Sequence, residues 1–234
     1  MPRRLYLIPN VISETDENVE MLRYLLPLTA ALRHFFVEEE KTARRLLKKI
    51  NPALPVAECE FILLNEHSRR EDIEKDFKNW ADKDIGIISE SGCPCVADPG
   101  AEVVSLAHRE GREVIPLVGP SSTVLALMAS GLSGQNFAFN GYLPKERPAR
   151  IKKIKELELR SQREGQTQIF MEAPYRNQNM LEDILATCSS ETMLCVACDL
   201  TASTQFIKTL PVGQWKKTSV LIDKRPALFL LQKR

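Results

Sequence analysis

Residues 84–118 read DIGIISESGCPCVADPGAEVVSLAHREGREVIPLV. The stretch opens on the apolar run Ile85–Ile88, short enough for a buried strand. A loop follows that packs Gly92, Pro94, Pro99 and Gly100 around two acids, Glu90 and Asp98, and two cysteines, Cys93 and Cys95. Residues 101–110 then carry apolar positions at helical spacing, and Gly111 closes that helix. A second short apolar run, VIPLV, completes a strand–loop–helix–strand order. Strands that alternate with helices in this way form largely parallel sheets of the α/β class.

The same alternation extends in both directions. Upstream, RLYLIP (4–9), HFFVE (34–38) and EFILLN (60–65) read as strands. Helical patterns separate them at ENVEMLRYLL (17–26), which Pro27 is expected to end, at EEKTARRLLKKI and at RREDIEKDFKNWA. Downstream, SSTVLALMASG reads as a helix starting at a serine cap and stopping at glycine. The strands NFAFNGYL, TQIFMEA, TMLCVACDLT, TQFIKTL, TSVLID (218–223) and PALFLLQKR follow, together with helices at RPARIKKIKELELRSQRE and RNQNMLEDILATC. The strand-rich end points to a mixed sheet there. A boundary at LVGPSS divides the chain into an α/β domain over 1–118 and a second over 119–234 with the mixed sheet.

Composition excludes several classes. The 234 residues are 44% hydrophobic and 27% charged with a net charge of +1, which is ordinary for a globular chain and no whole-molecule signal for a polyanion partner. The apolar run after Arg3 and Arg4 is too short for a signal peptide, and no run approaches the roughly 18 apolar residues of a membrane span. Six cysteines in so long a chain do not make a disulfide scaffold. The expected location is the cytoplasm.

Absent motifs narrow the chemistry. There is no G-x-G and no Walker A sequence. His34, His67 and His108 stand apart without metal-ligand spacing. Cys195 and Cys198 lie three apart in a strand, where such side chains point to opposite faces, so a zinc site with Cys93 and Cys95 is not expected. No histidine stands by to activate a cysteine as nucleophile. What remains is backbone chemistry. Gly92 and Gly100 permit close approach, and Pro94 and Pro99 fix the path between them. Asp98 reads equally as a helix cap and as a ligand. GPSS (119–122) repeats the pattern of strand end, glycine, proline and hydroxyls, and capping alone would account for either loop singly. FMEAPYRNQN (170–179) places Glu172, Tyr175 and Arg176 after a buried strand, either as a local ion pair or as binding groups.

The combination resembles a known family. GIISESGCPCVADPGAEVVSLAHREGREVIPLVGPSSTVLALMASGL (86–132) is similar to the central signature of the tetrapyrrole methylases, the class III S-adenosylmethionine-dependent methyltransferases. Within that family it most resembles the branch that 2′-O-methylates a cytidine of small-subunit ribosomal RNA. VEEEKTARRLL (37–47), FNGYLP (139–144) and FMEAPYR (170–176) match further signatures, so the resemblance covers most of the chain. It departs from the family in three places. The first loop, usually Pro-x-x-Gly-Asn-Leu, is IPNVISETDEN without glycine; Glu90 replaces an aspartate; and a usual Arg-Glu pair is Cys198-Asp199.

The resemblance implies two α/β domains, a homodimer, and a cofactor held in the cleft between domains without a Rossmann turn. Carried over by motif, Glu90, Ser91, Gly92, Pro94, Pro120, Ser121, Ser122, Ala173, Pro174 and Thr201 are the expected contacts of S-adenosyl-L-methionine, with no metal. Methylation of a ribose hydroxyl calls for a base, for which Glu39, Glu40 and Glu172 are candidates. Residues 145–163 hold eight Lys/Arg against three Glu, a local charge of +5. With Lys41 and Arg44 on another basic helix, and Arg176, the residues Lys152 and Lys153 are candidates for RNA phosphate contacts. Two other functions fit the same cofactor: methylation of a small tetrapyrrole precursor, which needs no basic helices, and cofactor binding without catalysis, which the altered first loop would suit.

Overall fold

A computed structural model describes residues 3–13, 15–65 and 67–233. The chain forms two compact units, Met1–Ser121 and Ser122–Arg234.

In the first unit the order is β1 (Arg4–Ile8), α1 (Asp16–Glu20), α2 (Leu26–Ala31), β2 (His34–Val37), α3 (Glu40–Ile50), β3 (Glu60–Leu63), α4 (Arg70–Asn79), β4 (Ile85–Ile88), α5 (Ala101–Arg109) and β5 (Glu113–Pro116). The five strands form one sheet in the order β3-β2-β4-β1-β5, parallel throughout. Central β4 is buried along its whole length, which is why it reads as an apolar run without alternation. Gly86 is required there: a β-carbon would lie 2.8 Å from both Ile8 Cδ1 and Phe35 Cδ1 on the flanking strands. Helix α3 turns Ala43, Leu46, Leu47 and Ile50 inward and ends on Lys48 and Lys49, whose charges favour the C-terminal end of its dipole.

Pro27 departs from the sequence expectation. It does not end a helix; it lies in the first turn of α2, where a missing N–H costs nothing. The 17–26 pattern is broken instead into α1 and a single 3-10 turn, Arg23–Leu25.

The second unit runs α6 (Ser122–Ser130), β6 (Phe137–Tyr142), α7 (Arg147–Glu164), β7 (Thr167–Met171), α8 (Asn177–Thr187), β8 (Met193–Cys198), β9 (Phe206–Pro211), α9 (Val212–Trp215) and β10 (Ala227–Gln232). Its sheet order is β6-β7-β10-β8-β9, with β6 parallel to β7 and the remaining pairs antiparallel. The sheet is thus mixed, and both units are of the α/β class. The last strand, β10, is buried at every position and lies in the middle of the sheet. TSVLID (218–223) is not a strand. The ladder positions beside β8 are filled by β9 and β10, and the Ile222 amide donates to the Gln178 side chain at 3.3 Å instead. Its apolar content is explained by Ile222, which is fully buried.

Helix α7 is docked on α8 through ions. Arg150 donates from Nε and Nη2 to Asp183 Oδ2 at 2.8 and 2.6 Å, and Arg147 donates to Oδ1 at 2.9 Å. Arg150 and Asp183 are both buried, whereas Arg147 is largely exposed. Removing one partner of a buried pair strands the other charge. Asp183→Asn is therefore expected to cost about 3 kcal/mol in denaturant unfolding, with Arg147→Ala costing far less; equal losses would show that the buried arm is not the stabilising one.

Candidate functional site

In the first unit every strand runs the same way, so the loops after β1, β2, β4 and β5 emerge at one edge, where open parallel sheets place their ligands. Asn10, after β1, is buried and binds the loop after β4 three times. Its amide N–H donates to Gly92 O at 2.8 Å, and its side-chain Nδ2 donates to Glu90 O at 2.8 Å and Ser89 O at 3.2 Å. Its Oδ1 accepts from Val11 N, so both ends of the side chain are satisfied. The loop after β5 joins the same edge. Pro9 packs so closely on Gly119 that a β-carbon there would come within 2.1 Å of Pro9 Cβ. A β-carbon on Gly92 would meet Pro120 O at 3.1 Å, and the Cys93 thiol lies 3.3 Å from that oxygen. The Tyr24 hydroxyl donates to Val118 O.

The β4 loop is wound by its own aspartate. Gly92, Cys95 and Ala97 all have left-handed φ, at 70°, 68° and 68°. For the two non-glycine residues this is an uncommon conformation. Asp98 Oδ1 offsets the cost by accepting from Cys95 N at 2.9 Å and Gly100 N at 2.8 Å. Asp98 thus does not cap α5; its Oδ1 closes the loop on itself. The winding leaves Glu90 and Ser91 exposed while Gly92 and Pro94 are buried beneath them.

The second unit gathers a second set at one end of its sheet. Met171, Cys198 and Ala227 mark the ends of β7 and β8 and the start of β10 at neighbouring register positions. Glu172, nearly fully buried, accepts through Oε1 from Ala173 N at 2.7 Å and from Arg176. Three buried polar atoms here have no partner among the described residues: Glu172 Oε2, Arg176 Nε and Asn177 Oδ1. The 222–225 segment ties this turn to the next loop. Lys224 N donates to Pro174 O, Asn177 Nδ2 to Arg225 O, and Arg225 Nε to Asp199 Oδ2 at 2.8 Å. Thr201 lies in that loop with φ 67°, a strained value for a β-branched residue.

The residues expected from sequence therefore fall into two groups. Glu90, Ser91, Gly92, Pro94, Pro120 and Ser121 share the strand-end edge of the first unit. Ser122 is the first residue of α6, and Ala173, Pro174 and Thr201 share the sheet end of the second unit. The candidate bases are occupied. Glu39 caps α3, accepting from Lys41 N and Thr42 N, and those amides, Thr42's above all, hold its carboxyl below the usual range. Glu40 pairs with Arg44 at 2.7 Å, and Glu172 with Arg176. Arg44 is also held by Val56 O at 2.9 Å and stacked on Phe61, so its guanidinium is fixed in the fold. Lys41 and Lys152 are exposed, while Lys153 pairs with Glu156. Sequence reasoning missed Asn10 and Arg225, each a single polar residue in an aperiodic loop, and Asn177, the first residue of α8. It also missed Glu38, whose carboxylate accepts from Glu90 N at 2.9 Å.

No family model matches the chain. Among curated proteins of similar sequence, the ribosomal RNA small subunit methyltransferase I of Vibrio cholerae serotype O1 is 28% identical over 90% of this chain and 69% of its own length. The protein of that name from Escherichia coli O157:H7 is 26% identical over 90% and 70%, and that of Pseudomonas aeruginosa 29% over 76% and 60%. The matched region thus spans roughly two thirds of these relatives. Among solved structures, a uroporphyrin-III C-methyltransferase from Thermus thermophilus aligns with a TM-score of 0.54 and 16% identity over 98% of this chain and 97% of that one. A protein of Aeropyrum pernix K1, described as conserved and hypothetical, aligns with a TM-score of 0.64 and 13% identity over 100% and 86%. The fold is that of the tetrapyrrole methylases. By sequence the chain is a homologue of the proteins named as small-subunit ribosomal RNA methyltransferases.

Burial, with the Asp98 charge behind it, pushes the Cys95 thiol up to about 12. At pH 8 almost none of it is the reactive thiolate. Iodoacetamide at pH 8 is expected to leave Cys95 unmodified in the native protein and to label it after unfolding, as read by peptide mass spectrometry; rapid native labelling would contradict a structural role for this thiol.

Proposed function

We propose that the chain is an S-adenosylmethionine-dependent methyltransferase whose acceptor is ribosomal RNA, with a ribose 2′ hydroxyl as the methylated group. The observation that carries this reading is the loop edge of the first unit, where exposed Glu90 and Ser91 ride on a glycine- and proline-wound turn, in a homologue of named ribosomal RNA methyltransferases.

The residues present fit the cofactor. S-adenosylmethionine carries hydrogen-bond donors on its adenine, ribose and ammonium groups. Glu172 Oε2 and Asn177 Oδ1 are buried acceptors that lack donors, and they flank Ala173 and Pro174. Unsatisfied buried acceptors are costly and call for a partner. We assign Glu90, Ser91, Gly92, Pro94, Pro120 and Ser121, with Ser122, Ala173, Pro174 and Thr201, as the residues that would hold it. When bound, the cofactor supplies a methyl group already activated on a sulfonium. The protein's part is to bind, orient and exclude water.

For the acceptor, Lys41 and Lys152 are free to meet phosphate, whereas Arg44 and Arg176 serve the fold first. Lys153 joins them by leaving Glu156, an exposed pair that is weak to begin with. We also propose a homodimer, supported by Val124 and Met128, which stand one turn apart on α6 at 48% and 73% exposure. No helix among the described residues is long and apolar enough to cross a membrane, and the proposed location is the cytoplasm, with the RNA.

The test is tritiated-methyl transfer from labelled cofactor to purified small-subunit ribosomal RNA from cells lacking the gene. Incorporation into that RNA, stable to alkali as a 2′-O-methyl dinucleotide, is the expected result. Transfer to a tetrapyrrole precursor alone, or cofactor binding with no transfer, would replace this reading with one of the two others.

A further inference from the structure

The sequence offers three consecutive glutamates, Glu38, Glu39 and Glu40, and the structure gives each a different task. Glu39 caps α3 and Glu40 pairs with Arg44. Glu38 is the residue that follows β2, and its own amide continues the pairing with β4, donating to Ile88 O at 3.2 Å. Its half-buried side chain turns to the loop after β4, where Oε2 accepts from Glu90 N at 2.9 Å. Oε1 has no partner among the described residues. One carboxylate oxygen is therefore fixed to the loop that we assign to the cofactor, and the other is left open beside it.

We propose that Glu38 is the general base of the methyl transfer, its Oε1 accepting the proton of the acceptor's ribose hydroxyl. The proposal rests on the function proposed above. The hydroxyl proton passes to Oε1. The oxygen pair released forms the new O–CH3 bond, the CH3–S pair stays with sulfur, whose positive charge is lost, and the proton leaves later to solvent. The environment suits this work. Burial pushes the Glu38 carboxyl up, the charges of Asp98 and Glu90 add to that, and only the Glu90 amide opposes them. A carboxylate raised toward neutrality is a stronger base than an exposed one.

The experiment uses Glu38→Gln, whose amide oxygen keeps the bond to Glu90 N but accepts no proton. We expect cofactor affinity by calorimetry and melting temperature near the parent values, methyl transfer to RNA reduced roughly 100-fold or more, and the acidic limb of the parent's rate profile lost. Carbon-13 NMR of the cofactor-free parent should show the Glu38 carboxyl titrating above an ordinary glutamate, and Asp98→Asn, which keeps its Oδ1 acceptor, should move that titration to lower pH. Transfer within threefold of the parent, or an ordinary Glu38 titration, overturns the proposal while leaving the function intact. A parent that binds cofactor yet methylates no RNA overturns both.

Discussion

The amide of Asn10 is the fastening on which the first unit's loop edge depends. Its backbone N–H and side-chain Nδ2 together engage the carbonyls of Ser89, Glu90 and Gly92, just past the end of the central strand. Each such bond contributes about 1 kcal/mol when both partners are buried. Their larger effect is geometric. They decide where the chain leaves β4, and with it where Glu90 and Ser91 stand. Pro9, the residue before Asn10, simultaneously presses on Gly119, so the loops after β1, β4 and β5 share one anchorage.

Around that anchorage the loop after β4 is self-contained. Three left-handed residues would unwind without a clamp, and Asp98 supplies it through two amides. The cysteines of this loop are packing groups: burial pushes both thiols up, Cys95 to about 12. Carboxylates dominate the edge, and burial, with the charges of Asp98 and Glu90 behind it, pushes the Glu38 carboxyl up. The second unit carries the opposite problem at its sheet end, where Glu172 and Asn177 keep buried acceptors without donors.

The fold was legible where burial imposes a pattern. A fully covered parallel strand must be apolar throughout, so IGII announces β4, and Gly111 and Gly131 mark helix ends, where both take positive φ. Legibility failed where one residue decides between equivalent roles. Pro27 can end a helix or begin one, and only the break after Glu20 selects the second. TSVLID has strand composition, but the sheet has no free place for it. At the candidate site the glycines and prolines of residues 92–100 and 119–120 were readable as close-approach positions. The triple glutamate was not, because its sequence does not say which carboxylate caps α3 and which turns to β4. Asn10 left no signal at all: a lone amide after a proline has no period and no motif.

The central claim is that the edge fastened by Asn10 is the wall that holds S-adenosylmethionine. The most direct measurement is isothermal titration of the cofactor into the parent protein and into Asn10→Ala, with circular dichroism verifying that both are folded. The account predicts binding to the parent and an affinity at least tenfold weaker in the variant, because Glu90, Ser91 and Gly92 lose their fixed positions. Equal affinities in two folded proteins would contradict it.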